Sequence, residues 1–425
     1  MKYWLPVLQK NNIKIIAMIS VQTLRKIYFS FAMIASILIT WYMLINDDNM
    51  NATGTQRTFL MRGLFCIVWI IPYFWYMKDV FLQPISTKEN PYRLSSIKWF
   101  TVYTICTCVA VLLTNDDSIK EFIATIVLYL CPYLIFTGSY VYSRRFNDKS
   151  YTTGLVILMI IVCIYAYIAQ YNLYNVLDVR GRFAIAYYPL YLLPIALTSN
   201  KKWIRYIAIV LISIVLFSSL KRGGVVALVL GMAAYVIVNQ YMKHQFTFVF
   251  RSIILLVILL VIGYIGVQYF GESLIERFLN EDDTTGSGRT EIWASLYARM
   301  QDQDYTAWLF GNGHLATMRD SSLHLSAHND FLEIIYNYGI FSLLAYICFL
   351  LSILRYTLQA IRQESKYAAN LAMLFTIYVT LSMVSIIVLL HTATLALLCY
   401  GLLIGWNEHE RHQPNILEKE QTTLT

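Results

Sequence analysis

Charge is scarce in this sequence. Only 14% of its 425 residues are Asp, Glu, Lys or Arg, against roughly 25% in ordinary soluble domains. A soluble chain of this length divides into two or three units, each needing a charged surface. This chain lacks the residues to make such surfaces, which excludes a cytosolic enzyme and a disordered regulator. Cysteine is missing from the polar loops. Cys66, Cys106, Cys108, Cys131, Cys163, Cys348 and Cys399 all lie in apolar runs, and no CxxC pair occurs. That excludes a secreted disulfide scaffold and leaves no zinc pattern. A Walker loop, a GxSxG elbow and a pair of acids at catalytic spacing are absent too.

What remains is hydrophobic, at 58% of all residues. A membrane helix needs about 20 mostly apolar residues to cross about 30 Å of hydrocarbon. Twelve stretches qualify, near 27–45, 58–77, 97–114, 121–143, 152–170, 183–198, 203–219, 222–241, 252–269, 338–355, 367–389 and 391–406. Pro189 and Pro194 predict a kink in the sixth. The expected fold is therefore all-α: a polytopic membrane protein of about 12 transmembrane helices. Residues 1–26 read as a cytoplasmic arm, 27–269 as spans one to nine, and 270–330 as a long outer loop. Residues 331–406 read as spans ten to twelve and 407–425 as a cytoplasmic tail.

The basic residues set the orientation, because they concentrate on the cytoplasmic side. With the N-terminus inside, the cytoplasmic segments hold 22 of the 33 basic residues and 8 of the 25 acids. Both termini are then cytoplasmic, and the excess of positive charge meets anionic lipid headgroups rather than nucleic acid. The one long polar stretch, from about Gly271 to Asp330, lies outside. Connectors of that length are functional or disordered, and its Trp, Tyr and Phe content argues for order. Within it "TEIWASLYARM" reads as helix and "FGNGHLATMRDSSLHLSAHND" as turn-rich.

Positive charge outside runs against the topology rule. Arg277, Arg299 and Arg319 fit ordinary pairing with the outer acids. Lys221 and Arg222 stand at the outer start of a helix in "SSLKRGGVVALVLG". A helix start already presents unpaired N–H groups and a positive dipole end, so added cations there suit an anionic ligand; the alternative is a snorkelling interfacial pair. Arg289 follows a Gly-Ser-Gly turn that can aim backbone N–H groups at an anion. Arg180 and Arg182, in "DVRGRF", are either further phosphate contacts or partners of Asp178. His328 precedes Asn329 and Asp330, either of which can cap the next helix, with Glu333 in its first turn. A histidine at that boundary suits a general base. His324, four residues earlier, makes a metal pair formally conceivable, but no third ligand has convincing spacing.

The apolar spans, "KRGG" at an outer helix start, "SGRTEIW", and "AHNDFLEIIYNYGIFSLL" closing the long loop together resemble the O-antigen ligase/O-antigen polymerase family. The match is most specific from Ser218 to Leu344; the first six spans match in character only. The resemblance implies an inverting, metal-independent glycan transfer with no cofactor, on the periplasmic face of a bacterial inner membrane. It implies an undecaprenyl-diphosphate-linked oligosaccharide donor, and as acceptor a lipid-linked repeat unit or lipid A–core. A chain-length regulator would be a further partner, and no nucleic acid is involved. Arg222 and Arg289, with Lys221 beside them, would bind the diphosphate. Arg180, Arg182 and His324 would be further substrate contacts. His328 would be the base for the acceptor hydroxyl. The chain departs from the proline that many members place just before the His-Asn pair, which keeps His324 as a second candidate base. A polymerase is the leading expectation, on the "KRGG" string and the composition, with a ligase next. A transporter or flippase of lipid-linked glycans is the reading from a different class. It fits less well, because transporters carry repeats and midplane charges, whereas here the polar residues gather at one outer face.

Overall fold

The computed structural model describes residues 5–46, 56–82, 94–114, 119–146, 148–176, 186–219, 222–243, 288–385 and 391–412. Every regular element among them is a helix. In chain order these are α1 (Leu5–Asn46), α2 (Gln56–Leu82), α3 (Ser95–Thr114), α4 (Ile119–Arg145), α5 (Lys149–Val176), α6 (Tyr187–Ala196) and α7 (Lys202–Ser218). They continue with α8 (Arg222–Met242), α9 (Arg289–Gln301), α10 (Tyr305–Phe310), α11 (Ala316–Asp320), α12 (Asp330–Arg362), α13 (Ala368–Val384) and α14 (His391–His412).

Among the described residues, six helical stretches are long and apolar enough to cross a membrane: Thr23–Tyr42, Ser95–Thr114, Ile126–Arg145, Lys149–Ala169, Arg222–Met242 and Asp330–Arg362. This is half the number expected from hydropathy. Two shorter apolar helices, Gly63–Lys78 and Ala368–Val384, coincide with further expected spans, and the stretch at 252–269 lies outside the described residues. The stretch at 183–198 differs in kind. Its helix, α6, has ten residues, all buried, and a helix of that length covers about 15 Å, half the hydrocarbon thickness. Pro194 lies within it and lacks the N–H that would bond back along the helix. The carbonyl of Pro194 is taken up by the Asn370 amide of α13 at 2.6 Å. Hydropathy registers such an apolar, internal helix as a span because burial in protein and burial in lipid select the same residues.

Packing at the centre depends on small residues. Gly401 and Gly405 of α14 lie four apart and face Ser139 and Ser143 of α4. A Cβ on Gly401 would fall 2.7 Å from the Phe136 carbonyl oxygen, and one on Gly405 would fall 2.6 Å from that of Tyr140. The Ser143 hydroxyl donates to the Gly401 carbonyl at 3.0 Å. In lipid, where apolar burial does not drive helices together, such small-residue seams and interhelical hydrogen bonds do. Trp69 of α2 is fully buried and donates its indole N–H to Ser36 of α1 at 2.9 Å.

The two ends of the bundle differ in chemistry. At one end Lys26 pairs with Asp148, Lys366 pairs with Glu410, and the Lys149 ammonium lies 4.9 Å from the Tyr367 ring centre. These basic residues are among those assigned inside by the sequence. At the opposite end lie the starts of α8 and α12, the end of α13, and helices α9 to α11.

Candidate functional site

The site is built on the first turn of α12. Asn329 is its N-cap, its side-chain oxygen accepting the Leu332 N–H at 3.1 Å. Asp330, Glu333 and Asn337 follow at helical spacing, one polar stripe in an otherwise apolar segment. All three are buried: Asp330 and Asn337 at 0% exposure and Glu333 at 1%. Buried acids need partners, and these have them. The Tyr346 hydroxyl donates to Asp330 at 3.3 Å and lies 3.0 Å from the Ser382 hydroxyl of α13. Glu333 accepts from the Thr317 hydroxyl at 2.5 Å, the Ala327 backbone N–H at 2.6 Å and the Asn337 amide at 3.0 Å. Both acids sit at the positive end of the α12 dipole, which also favours their charge.

These bonds fix the residues on either side of His328. The Ala327 N–H goes to Glu333, and the Ala327 carbonyl accepts the Trp293 indole N–H of α9 at 2.7 Å. On the other side, Asn329 caps α12 and donates its amide to the Met383 carbonyl at the end of α13, 3.3 Å away. His328 itself has φ 51°, in the left-handed region where histidine is one of the few tolerated side chains. A conformation of that kind persists when its surroundings over-determine it, and here hydrogen bonds on both neighbours do so.

A break in α12 holds the loop against the bundle. Gly339 adopts φ 77°, ψ −179°, so the helix is two segments meeting at a kink. The break frees carbonyls that a continuous helix would use. The backbone N–H groups of Asn312 and Gly313 fill them, donating to Tyr336 at 2.9 Å and Asn337 at 3.1 Å. The approach is so close that a Cβ on Gly339 would lie 2.2 Å from the Leu309 carbonyl oxygen. Nearby, His314 Nδ1 lies 2.6 Å from the Tyr338 hydroxyl.

The arginines arrive from two other helices. Arg222 is the first residue of α8. A Cβ on its neighbour Gly223 would meet Val384 at 2.7 Å and the Tyr187 hydroxyl at 3.6 Å. Val384 ends α13, directly after the Met383 that holds Asn329. Arg289 is the first residue of α9, behind the left-handed Gly288 N-cap. One chain of contacts thus runs from Asn329, next to His328, through Met383 and Val384 to Gly223, next to Arg222, with Tyr187 alongside. Trp293, one turn beyond Arg289, meets the other neighbour of His328, Ala327.

Every residue of that chain from α8 to the start of α12 falls in one stretch, and residues 207–347 match the family model described as O-antigen ligase. That segment is similar to the O-antigen ligase family. The match covers about a third of the chain and supports a glycan ligase or polymerase role. No curated protein matches the chain. The O-antigen ligase segment contains Arg222, Arg289, His324 and His328, together with the buried acids and Trp293, while Tyr187 and α13 reach it from outside.

Other residues singled out from the sequence stand apart from these contacts or lie outside the described residues. His324 is exposed, also at a positive φ of 51°, with Nδ1 3.2 Å from the Arg319 carbonyl oxygen. It belongs to the turn before His328 rather than to the chain of contacts. Arg319 pairs with Asp320 at 2.9 Å and donates to the Asn312 carbonyl at 3.1 Å, the ordinary pairing expected of it. Lys221, Arg180, Arg182 and Arg277 lie outside the described residues. An open groove lined by Leu351, Arg355, Leu358 and Arg362 lies along the other half of α12, away from these groups. Sequence reading passed over Tyr187, Trp293, Thr317 and Asn337, and took Glu333 only as a first-turn acid. The signal for the last two was present: Asp330, Glu333 and Asn337 repeat at intervals of three and four, which puts three polar side chains on one helix face.

Proposed function

We propose that the chain is a membrane glycan transferase, a polymerase of surface polysaccharide. It would move a growing glycan from undecaprenyl diphosphate to a hydroxyl of the next lipid-linked repeat unit, at the periplasmic face of a bacterial inner membrane. The observation that carries this is that Arg222, Arg289 and His328 stand at helix starts that the fold brings together, all within the segment matching the O-antigen ligase model. The concentration of basic residues at the opposite end of the bundle supports the assignment of faces.

In this reading the acceptor oxygen attacks the anomeric carbon as the bond from that carbon to the diphosphate oxygen breaks. The configuration inverts and undecaprenyl diphosphate leaves with the bonding electrons. Arg222 and Arg289, with the N-terminus of α8, stabilise the charge that grows on the diphosphate, because fixed donors do so without reorganising. Lys221, Arg180 and Arg182 would add to that field. The neutral imidazole of His328 takes the hydroxyl proton, a contribution of about 10²–10⁴-fold in rate. Diphosphate is already a good leaving group, so the reaction calls on no cofactor, and the protein supplies orientation and charge.

A ligase that moves the same donor glycan to lipid A–core is the second reading, favoured by the description of the matched family. One experiment separates the two. In a strain lacking this gene, lipopolysaccharide carrying core plus a single repeat unit means a lost polymerase. Bare core, with long glycan accumulating on the lipid carrier, means a lost ligase. An unchanged ladder contradicts both.

A further inference from the structure

Glu333 ties the segment that carries His328 to α11 and to its own helix. Its two carboxylate oxygens accept three bonds, from the Ala327 N–H, the Thr317 hydroxyl and the Asn337 amide, at 2.6, 2.5 and 3.0 Å. The side chain is 1% exposed, so it touches no substrate. It reaches the peptide N–H next before His328, in a turn whose histidine has φ 51°. Thr317 belongs to α11, so the same carboxylate also ties the loop helix to α12. A plain structural carboxylate at a first helical turn would bond its own helix start; this one reaches back beyond the N-cap.

We propose that Glu333 is a positioning residue for transfer, setting the backbone turn that presents the His328 imidazole to the acceptor hydroxyl. This rests on the reading of His328 as the base. The chemistry requires an acceptor with two oxygens. Glutamine has the same shape but one acceptor oxygen and an amide that donates. If that oxygen takes the Ala327 N–H, the amide opposes the Asn337 amide. If it faces Thr317 and Asn337, the amide opposes the Ala327 N–H, and the His328 turn shifts.

The test uses the full chain, purified, with undecaprenyl-diphosphate oligosaccharide extracted from the cells that express it. For Glu333→Gln the expected result is a fall in kcat of roughly 10–100-fold, the cost of an approximately 1 Å misplacement, with donor KM within about twofold of wild type. In the His328→Ala background, Glu333→Gln should cost nothing further, because its effect runs through that imidazole. Thr317→Ala, which removes one of three bonds and leaves the Ala327 contact, should show a smaller kcat loss with the same KM. It carries the test if Glu333→Gln does not accumulate. A Glu333→Gln enzyme with wild-type kcat while His328→Ala is inactive overturns the positioning role and leaves the base reading standing. A further loss in the double variant, or a rise in KM in place of a fall in kcat, overturns it as well. If His328→Ala turns over at the wild-type rate, the base reading fails and the positioning role fails with it.

Discussion

The indole N–H of Trp293 donates to the carbonyl of Ala327 at 2.7 Å. Trp293 lies one turn after Arg289 and Ala327 lies next before His328, so this bond couples the helix carrying an arginine to the turn carrying the histidine. Trp293→Phe keeps most of the apolar contact and removes the donor. A hydrogen bond of this kind is worth about 1 kcal/mol net. We expect transfer to fall about fivefold with unchanged protein level, read by the polysaccharide ladder and by immunoblot of the membrane fraction.

The bracket at the α12 break is intolerant of a side chain. Gly339 and Gly311 both have positive φ, with ψ near 180°, a region reserved for glycine that costs other residues about 1–3 kcal/mol. A Cβ on Gly339 would in addition collide with the Leu309 carbonyl oxygen at 2.2 Å. Gly339→Ala should lower the melting temperature and reduce the folded yield. Gly154→Ala, where no atom lies within 4 Å of the new Cβ, should be neutral or slightly stabilising, since alanine is the better helix former by about 1 kcal/mol.

Asp320 makes the segment between α9 and α12 sensitive to acid. Burial raises its carboxyl, but the Arg319 guanidinium and the Tyr336 hydroxyl outweigh that and hold it below its ordinary value of 3.8. A folded-state value below the unfolded one stabilises the fold above the unfolded value, and this is lost as pH falls through the folded one. The gap in stability between wild type and Asp320→Asn should therefore be constant near pH 6 and close below about pH 4. Thermal melts at pH 6 and pH 3 read this directly; a gap that widens in acid would contradict it.

The two histidines separate by environment. His324 is exposed against the Arg319 carbonyl, whereas His328 stands between two pinned neighbours. His324→Ala should reduce transfer far less than His328→Ala, for which we expect about 10²–10⁴-fold. Equal losses would return the base assignment to both.

Much of this arrangement was legible in the residues. The helical reading of "TEIWASLYARM", the Asn329 cap and the pairing of Arg319 all follow from local rules, because capping, periodicity and neighbouring charge act over a few residues. The site was legible only as separate pieces. That Gly223 lies against Val384, or that Asn329 reaches Met383, depends on contacts between helices far apart in sequence, which no local pattern encodes. The number of spans is a different matter: hydropathy alone does not separate a lipid-facing helix from one buried in protein, as all ten residues of α6 are. The break at Gly339 was hidden too, since "YNYGIF" reads as continuous helix until a second chain segment supplies the hydrogen bonds that let it open.

In the proposed reaction two arginines hold the donor diphosphate while His328 accepts the acceptor proton. The direct measurement is donor binding and turnover in the same purified variants, with radiolabelled undecaprenyl-diphosphate oligosaccharide from the expressing cells. We expect Arg222→Ala and Arg289→Ala to lose donor binding, while His328→Ala binds donor as wild type does and releases undecaprenyl diphosphate about 10²–10⁴-fold more slowly. Wild-type turnover by His328→Ala, or undiminished donor binding by both arginine variants, would contradict this reading.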